Sequence, residues 1–253
     1  MILSIVDAII VLIVIAGGLI GFKNGAIQEG VKFVGIIVVL ILSFILKDNL
    51  MVLMYENLPF FDFFGFIRGI SAINILFYQL LAFLVIFAAL SFFLRVLLVI
   101  TGLIEWLLKL TVFLRGISKI VGIFVGAIEY YVYAFIALYI LSMPILNLSY
   151  VADSKFANVV LNNTPILSNL SDNTIKVYSD VWETIKNKDD KSTKEINTLV
   201  LATLLDNKLI TVDSAKKLIN SNKIIINDES ILDNYNDGDN LYDTLKNKEN
   251  SND

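Results

Sequence analysis

Two residue types that carry much of enzyme chemistry are missing, because the 253-residue chain contains no histidine and no cysteine. Their absence excludes Ser-His-Asp and Cys-His nucleophiles, zinc sites of the usual kind, haem ligation through these residues and all disulfides. Chemistry based on carboxylates or lysines alone stays open in principle, but no such constellation is visible. We therefore predict a protein that is not an enzyme and has no metal and no cofactor.

Charged side chains are scarce in the first 146 residues, whereas the rest of the chain is acidic and rich in charge. With 57% apolar residues and a mean hydropathy of +0.74, the chain is far more apolar than an ordinary soluble domain. We predict an all-α membrane protein with a four-span transmembrane domain in 1–146, a small helical extramembrane domain in 147–226 and a disordered acidic tail in 227–253. The lipid bilayer is the expected partner, and nucleic acid is not, because the acidic rear lacks clustered basic residues.

Four apolar stretches reach or approach the length of about 20 residues that a helix needs to cross a bilayer. They cover approximately residues 3–22, 29–46, 69–94 and 120–141. No basic residue precedes the first stretch, which favours a retained span over a signal peptide. Residues 96–118 alternate apolar turns with charges, so they predict a helix in the membrane interface or an extension of the third span.

The basic residues of the short loops predict how the spans are oriented. The first and third loops carry six, and the second loop and the segment after the fourth span carry three. They are Lys23, Lys32, Arg95, Lys109, Arg115 and Lys119 against Lys47, Arg68 and Lys155. Cytoplasmic loops are enriched in Lys and Arg, so the first and third loops are assigned to the cytoplasm. Both termini and the acidic rear then face outward.

Glycines at intervals of four residues predict where helices approach closely. Gly17, Gly21 and Gly25 form one ridge, and Gly122 and Gly126 form another. Small residues let helix backbones come together where lipid provides no hydrophobic drive for association. We expect these ridges to pack within one bundle, and a homo-oligomer contact is the alternative.

Glu129 is the strongest anomaly, because a carboxylate near the middle of a bilayer costs at least about 2.5–3.5 kcal/mol. It shares a helix face with the second glycine ridge. Asn74 and Gln79 in the third span are its expected partners. A protonated Glu129 that is hydrogen-bonded inside the bundle and a proton or ion relay both fit this position.

Asp7, near the start of the first span, is expected to cap its helix.

The stretch Gly-Phe-Lys-Asn-Gly-Ala-Ile-Gln-Glu at residues 21–29 follows a span that opens with Asp7. Together with the Gly-x-x-x-Gly segment that opens the fourth span, it resembles the colicin V production protein family over roughly residues 1–165. The residues that match the family motif are Asp7, Gly21, Phe22, Lys23, Gly25 and Glu29. The resemblance implies an inner-membrane protein linked to bacteriocin production and cell-envelope upkeep. Some relatives carry a serine protease after the spans, which this histidine-free chain cannot be.

The rear half shows four helical patterns, at 153–163, 166–188, 195–207 and 213–220, with Thr164 and Pro165 at the start of the second. Its small expected core consists of Ile196, Leu199, Leu204, Leu205, Leu218 and Ile219. Few apolar residues follow Asn227, and this composition predicts disorder.

Three functions fit the sequence. The first, implied by the resemblance, is a non-enzymatic component for toxin production or envelope maintenance that works with other membrane or envelope proteins. The second is a small transporter or proton-coupled channel that uses Glu129. The third is a membrane anchor whose C-terminal helical domain recruits a partner protein. A water-accessible path to Glu129 would favour the second.

Overall fold

The computed structural model describes residues 4–100, 115–142, 151, 153–187 and 191–235. Within these ranges the regular elements are helical and no strand occurs, so the predicted all-α fold is confirmed. The α-helices are α1 (Ile5–Asn24), α2 (Ala26–Asn57), α3 (Ile73–Ile100), α4 (Arg115–Leu141), α5 (Lys155–Asn163), α6 (Leu167–Lys186), α7 (Thr193–Asp206) and α8 (Val212–Asn220). Two 3-10 helices lie at Gly65–Ile67 and Glu229–Asn234.

The helices α1 to α4 are each long and apolar enough to cross a membrane, which confirms the predicted four spans. The second is much longer than the predicted 29–46, because α2 contains 32 residues. At 1.5 Å per residue it is about 48 Å long, against a hydrocarbon core of about 30 Å. Hydropathy located only the apolar part of this helix.

Of the predicted interfacial segment, 96–100 continue α3 and 115–118 begin α4, while 101–114 lie outside the described residues.

A single residue joins α1 to α2. Ser4 caps the start of α1, where its Oγ accepts a hydrogen bond from the Asp7 amide and the Asp7 carboxylate accepts one from the Ser4 amide. The helix ends at Asn24, and Gly25 follows with a φ of +85°. Only glycine adopts this backbone conformation without steric cost. The chain therefore reverses in one step, and α2 begins at Ala26.

The chain divides into two compact units, one formed by 1–46 and 83–172 and the other by 47–82 and 173–253. The predicted division at residues 146 and 226 separates apolar from polar sequence and stays a prediction. In the second unit, the ends of α2 and α3 nearest the loop 58–72 group with most of α6 and with α7 and α8. Hydropathy shows where a helix stops being apolar, whereas a compact unit is defined by which residues pack together. The two boundaries fall at different residues wherever a helix continues beyond its apolar part.

The rear helices begin at hydroxyl caps, with Ser154, Ser192 and Thr211 each accepting a backbone N–H of the first turn. The predicted start of α6 at Thr164-Pro165 is displaced, because Ile166 has a φ of +67° and the helix begins at Leu167.

The predicted rear core is found with one correction, since Leu199 is 41% exposed while the other five members are buried. The disorder expected from Asn227 does not hold for the 3-10 helix at Glu229–Asn234. There Leu232 is buried, and the Tyr235 hydroxyl donates to Asp206 at 2.6 Å. Residues 236–253 of the expected tail lie outside the described residues.

Candidate functional site

The two glycine ridges face each other across α1 and α4. A Cβ atom added to Gly21 would overlap the backbone carbonyl of Gly122, and one added to Gly126 would overlap that of Gly17. Because the obstructing atoms belong to backbone, no side-chain rotation would relieve these overlaps. Residue numbers rise along α1 as they fall along α4, so the two helices are antiparallel, and the ridges meet within one chain.

The tight joint at Gly25 carries the first turn of α2 to the side of α4. An added Cβ on Gly122 would lie 3.0 Å from the carbonyl carbon of Gly25, and the Ala26 amide donates to Ser118 Oγ at 3.0 Å. That hydrogen bond satisfies one of the free amides at the start of α2. The first turn of α2 also holds Glu29, so the joint brings this acid towards α4.

The side chains of Glu29 and Glu129 lie next to each other, so that either acid, once protonated, is placed to donate a hydrogen bond to the other. Both are buried, with 0% and 2% of their surface exposed. A carboxylate only accepts hydrogen bonds, so a bond between two carboxyl groups requires a proton on one of them. The expectation that Asn74 and Gln79 are the partners of Glu129 is wrong, because its acidic partner lies one turn into α2.

The remaining contacts of the pair are donors. Glu29 Oε1 accepts from Asn24 Nδ2 at 2.6 Å and from Lys32 Nζ at 2.7 Å. Glu129 Oε1 accepts from the Tyr133 hydroxyl at 2.9 Å. The other oxygen of each acid, Oε2, is buried and has no donor among the described residues. A pair that holds one proton carries one negative charge, which the Lys32 ammonium balances.

Asn74 and Gln79 belong to the second compact unit, where they serve the loop and the rear helices. Asn74 Nδ2 donates to the carbonyls of Phe61 and Ser71, and its Oδ1 accepts from the Phe61 amide at 2.8 Å. Gln79 Nε2 donates to Thr174 Oγ1 at 3.3 Å. The bonds of Asn74 fix the loop 58–72 to the start of α3.

Asp7 does more than cap α1. Its Oδ1 also accepts from Ser154 Oγ at 2.6 Å and from the Phe156 amide at 2.9 Å, which fixes the start of α5 to the start of α1. The sequence predicted the cap, but the second contact joins residues almost 150 positions apart and leaves no local pattern.

The family-motif residues 21–29 gather at the joint between α1 and α2. Gly21 lies against α4, Gly25 makes the turn and Glu29 enters the acid pair. The Lys119 ammonium lies 5.5 Å from the centre of the Phe22 ring, a cation–π contact. Lys23 is exposed at the end of α1.

Comparisons with known proteins agree with this architecture. A family model described as colicin V production protein matches residues 6–165. A Bacillus subtilis (strain 168) protein described as the uncharacterized transmembrane protein YshB is 28% identical over an alignment 177 residues long, which covers 65% of this chain and 93% of that protein. No solved structure matches the chain.

Proposed function

Because the chain belongs to the colicin V production protein family, we propose that it is a plasma-membrane component that a bacterium uses for toxin production and for maintenance of its envelope. The observation that carries this proposal is the family match, which extends across all four candidate spans. The lack of histidine and cysteine supports a component that acts by binding other membrane or envelope proteins and not by catalysis.

Removal of the chain from a toxin-producing strain tests this proposal. We expect secreted toxin activity to fall and detergent sensitivity to rise, and the wild-type chain to restore both. Purification of the restored chain in mild detergent should then retain its partner proteins. Unchanged toxin output together with an unchanged envelope would contradict the proposal.

We place both termini outside the cytoplasm, on the support of the six basic residues in the first and third loops against three elsewhere. The chain has no native thiol, so single cysteines report accessibility cleanly. Asn187→Cys, directly after the end of α6, should react with an impermeant thiol reagent on intact cells or spheroplasts. Asn24→Cys at the joint between α1 and α2 should not react, and the reverse pattern would invert the orientation.

A further inference from the structure

One member of the acid pair lies at the start of a helix, and the other lies inside a candidate membrane span. Glu129 lies near the middle of the candidate span Ser118–Leu141. Its partner Glu29 lies in the first turn of α2, next to the joint at Gly25. The pair therefore reaches from a helix end towards the middle of the bilayer, where a charged carboxylate without a partner is costly.

Hydrogen bonds continue from the pair in both directions. On the α2 side, Glu29 is bonded to Lys32, whose side chain is 41% exposed while that of Glu29 is fully buried. Lysines at helix ends extend their ammonium groups to the membrane interface. On the α4 side, Glu129 is bonded to Tyr133, one helical turn further along the span. The result is a row of polar groups in the order Lys32, Glu29, Glu129 and Tyr133.

We propose that Glu29 and Glu129 form a binding site for one exchangeable proton, and that Lys32 controls how many protons the pair holds. The contacts favour a proton over a metal ion. Asn24, Lys32 and Tyr133 all present donor hydrogens to the two acids, whereas a metal ion needs several oxygen acceptors. The two Oε2 atoms without an outside donor provide the acceptor capacity for the proton.

Charge balance explains the role of Lys32. With one shared proton the pair carries one negative charge, and the ammonium at 2.7 Å neutralises it. If the ammonium withdraws to the interface, the pair becomes neutral only by taking a second proton, which hydronium supplies as it becomes water. This step forms one O–H bond on a carboxylate and breaks one O–H bond in hydronium. The return of Lys32 releases the second proton by the reverse reaction.

Infrared spectroscopy of the full chain in lipid vesicles tests the site directly. At neutral pH we expect a carbonyl-stretch band from a protonated carboxylic acid, and its frequency should shift in D₂O because the proton exchanges. Glu29→Gln and Glu129→Gln should each remove the band. Lys32→Gln should increase its intensity about twofold, because the uncompensated pair then holds two protons. Glu183→Gln, at an exposed position of α6, is the matched control and should leave the band unchanged.

Labelling wild-type protein with ¹³C-carboxyl glutamate keeps the test independent of how well the variants fold, because only a glutamic acid band then shifts. No acid band at neutral pH, or a band that both Gln variants retain, would overturn the proton site. A band that does not respond to D₂O would overturn exchange, and an unchanged band in Lys32→Gln would overturn the control by Lys32. None of these readouts involves toxin output, so the inference and the proposed function fail separately.

Discussion

Two buried asparagines in one compact unit and two buried acids in the other are hydrogen-bonded differently. In the unit that contains α7 and α8, Asn74 uses both amide hydrogens and its oxygen on backbone groups, and so does Asn197. In the unit that contains α1 and α4, Glu29 and Glu129 each keep a buried oxygen that has no donor in the described part of the chain. A saturated amide has one arrangement and fixes a fold. A carboxylate with an unused acceptor oxygen can still take up a proton, so its protonation state is not fixed by its neighbours.

The dominant contacts also differ between the units. Gly21 and Gly122 bring two helix backbones together, so the packing of the first unit depends on the absence of side chains at these positions. Asn197 in α7 accepts from the Ala72 amide and donates to the carbonyls of Gly69 and Ile225, so what matters in the second unit is a polar group of the right shape. Changes of volume and of polarity should therefore affect the two units unequally.

The largest effect is expected from Gly21→Ala. The added methyl group would overlap the carbonyl of Gly122, and backbone cannot move aside as a side-chain tip does. We expect the free energy of unfolding to fall by about 3 kcal/mol or more, which is at or beyond the upper end of ordinary overpacking. Thermal unfolding in detergent measures the loss. Gly30→Ala is the control, because an added Cβ there meets nothing within 4 Å. Equal melting temperatures for the two variants would refute the close contact of α1 and α4.

A smaller loss is expected from Asn197→Ala, which leaves the Ala72 amide and two carbonyls without their partner. Buried backbone groups that lose a partner cost about 1–3 kcal/mol, and with two of the three bonds long we expect about 2 kcal/mol in total. Limited proteolysis should show faster cleavage in the loop 58–72. Asn173→Ala removes one exposed bond, to the Asn207 carbonyl, and should change little. If both variants resisted proteolysis equally, Asn197 would not hold this loop.

The sequence predicted those features that depend on local composition or regular spacing. The four spans follow from apolar length, and the two glycine ridges follow from intervals of four residues. The partner of Glu129 was missed because it depends on the one-residue joint at Gly25 and on the register of α1 against α4. A signal was present, since Glu29 stands four residues after that glycine, at the start of an apolar stretch. In the sequence this residue marks the boundary of a span and belongs to the family motif, and neither pattern indicates a contact with α4.

The exposure of Leu199 was missed for a related reason. A helical pattern shows that one face is apolar, but it does not show which neighbour covers each position. Leu199 and its neighbour Val200 are both apolar, and only Val200 is buried. The packing of the rear helices with residues 47–82 depends on contacts between residues far apart in the chain, which no short window of sequence contains.

The smallest effect on stability is expected from Glu129→Gln, although this change removes an ionisable group from the middle of a span. The amide oxygen still accepts from the Tyr133 hydroxyl, and the amide nitrogen is placed to donate to the neighbouring Glu29. We expect the free energy of unfolding to change by less than about 1 kcal/mol. Glu129→Leu has the opposite balance, because it removes the cost of a polar group in lipid but leaves Tyr133 and Glu29 without their partner. We expect a net loss of about 1–2 kcal/mol.

Thermal unfolding of both variants in the same detergent decides whether the two acids support the fold by hydrogen bonding alone or also by their charge. A Gln variant that melts near the wild type, with the Leu variant clearly below it, would show that the pair needs hydrogen bonding but not ionisation in order to fold. The proton of the pair would then be dispensable for structure, which distinguishes Glu129 from Asn197. A Gln variant as unstable as the Leu variant would mean that the charge of the pair supports the fold, and the acids would then be as structural as the amides of the other unit.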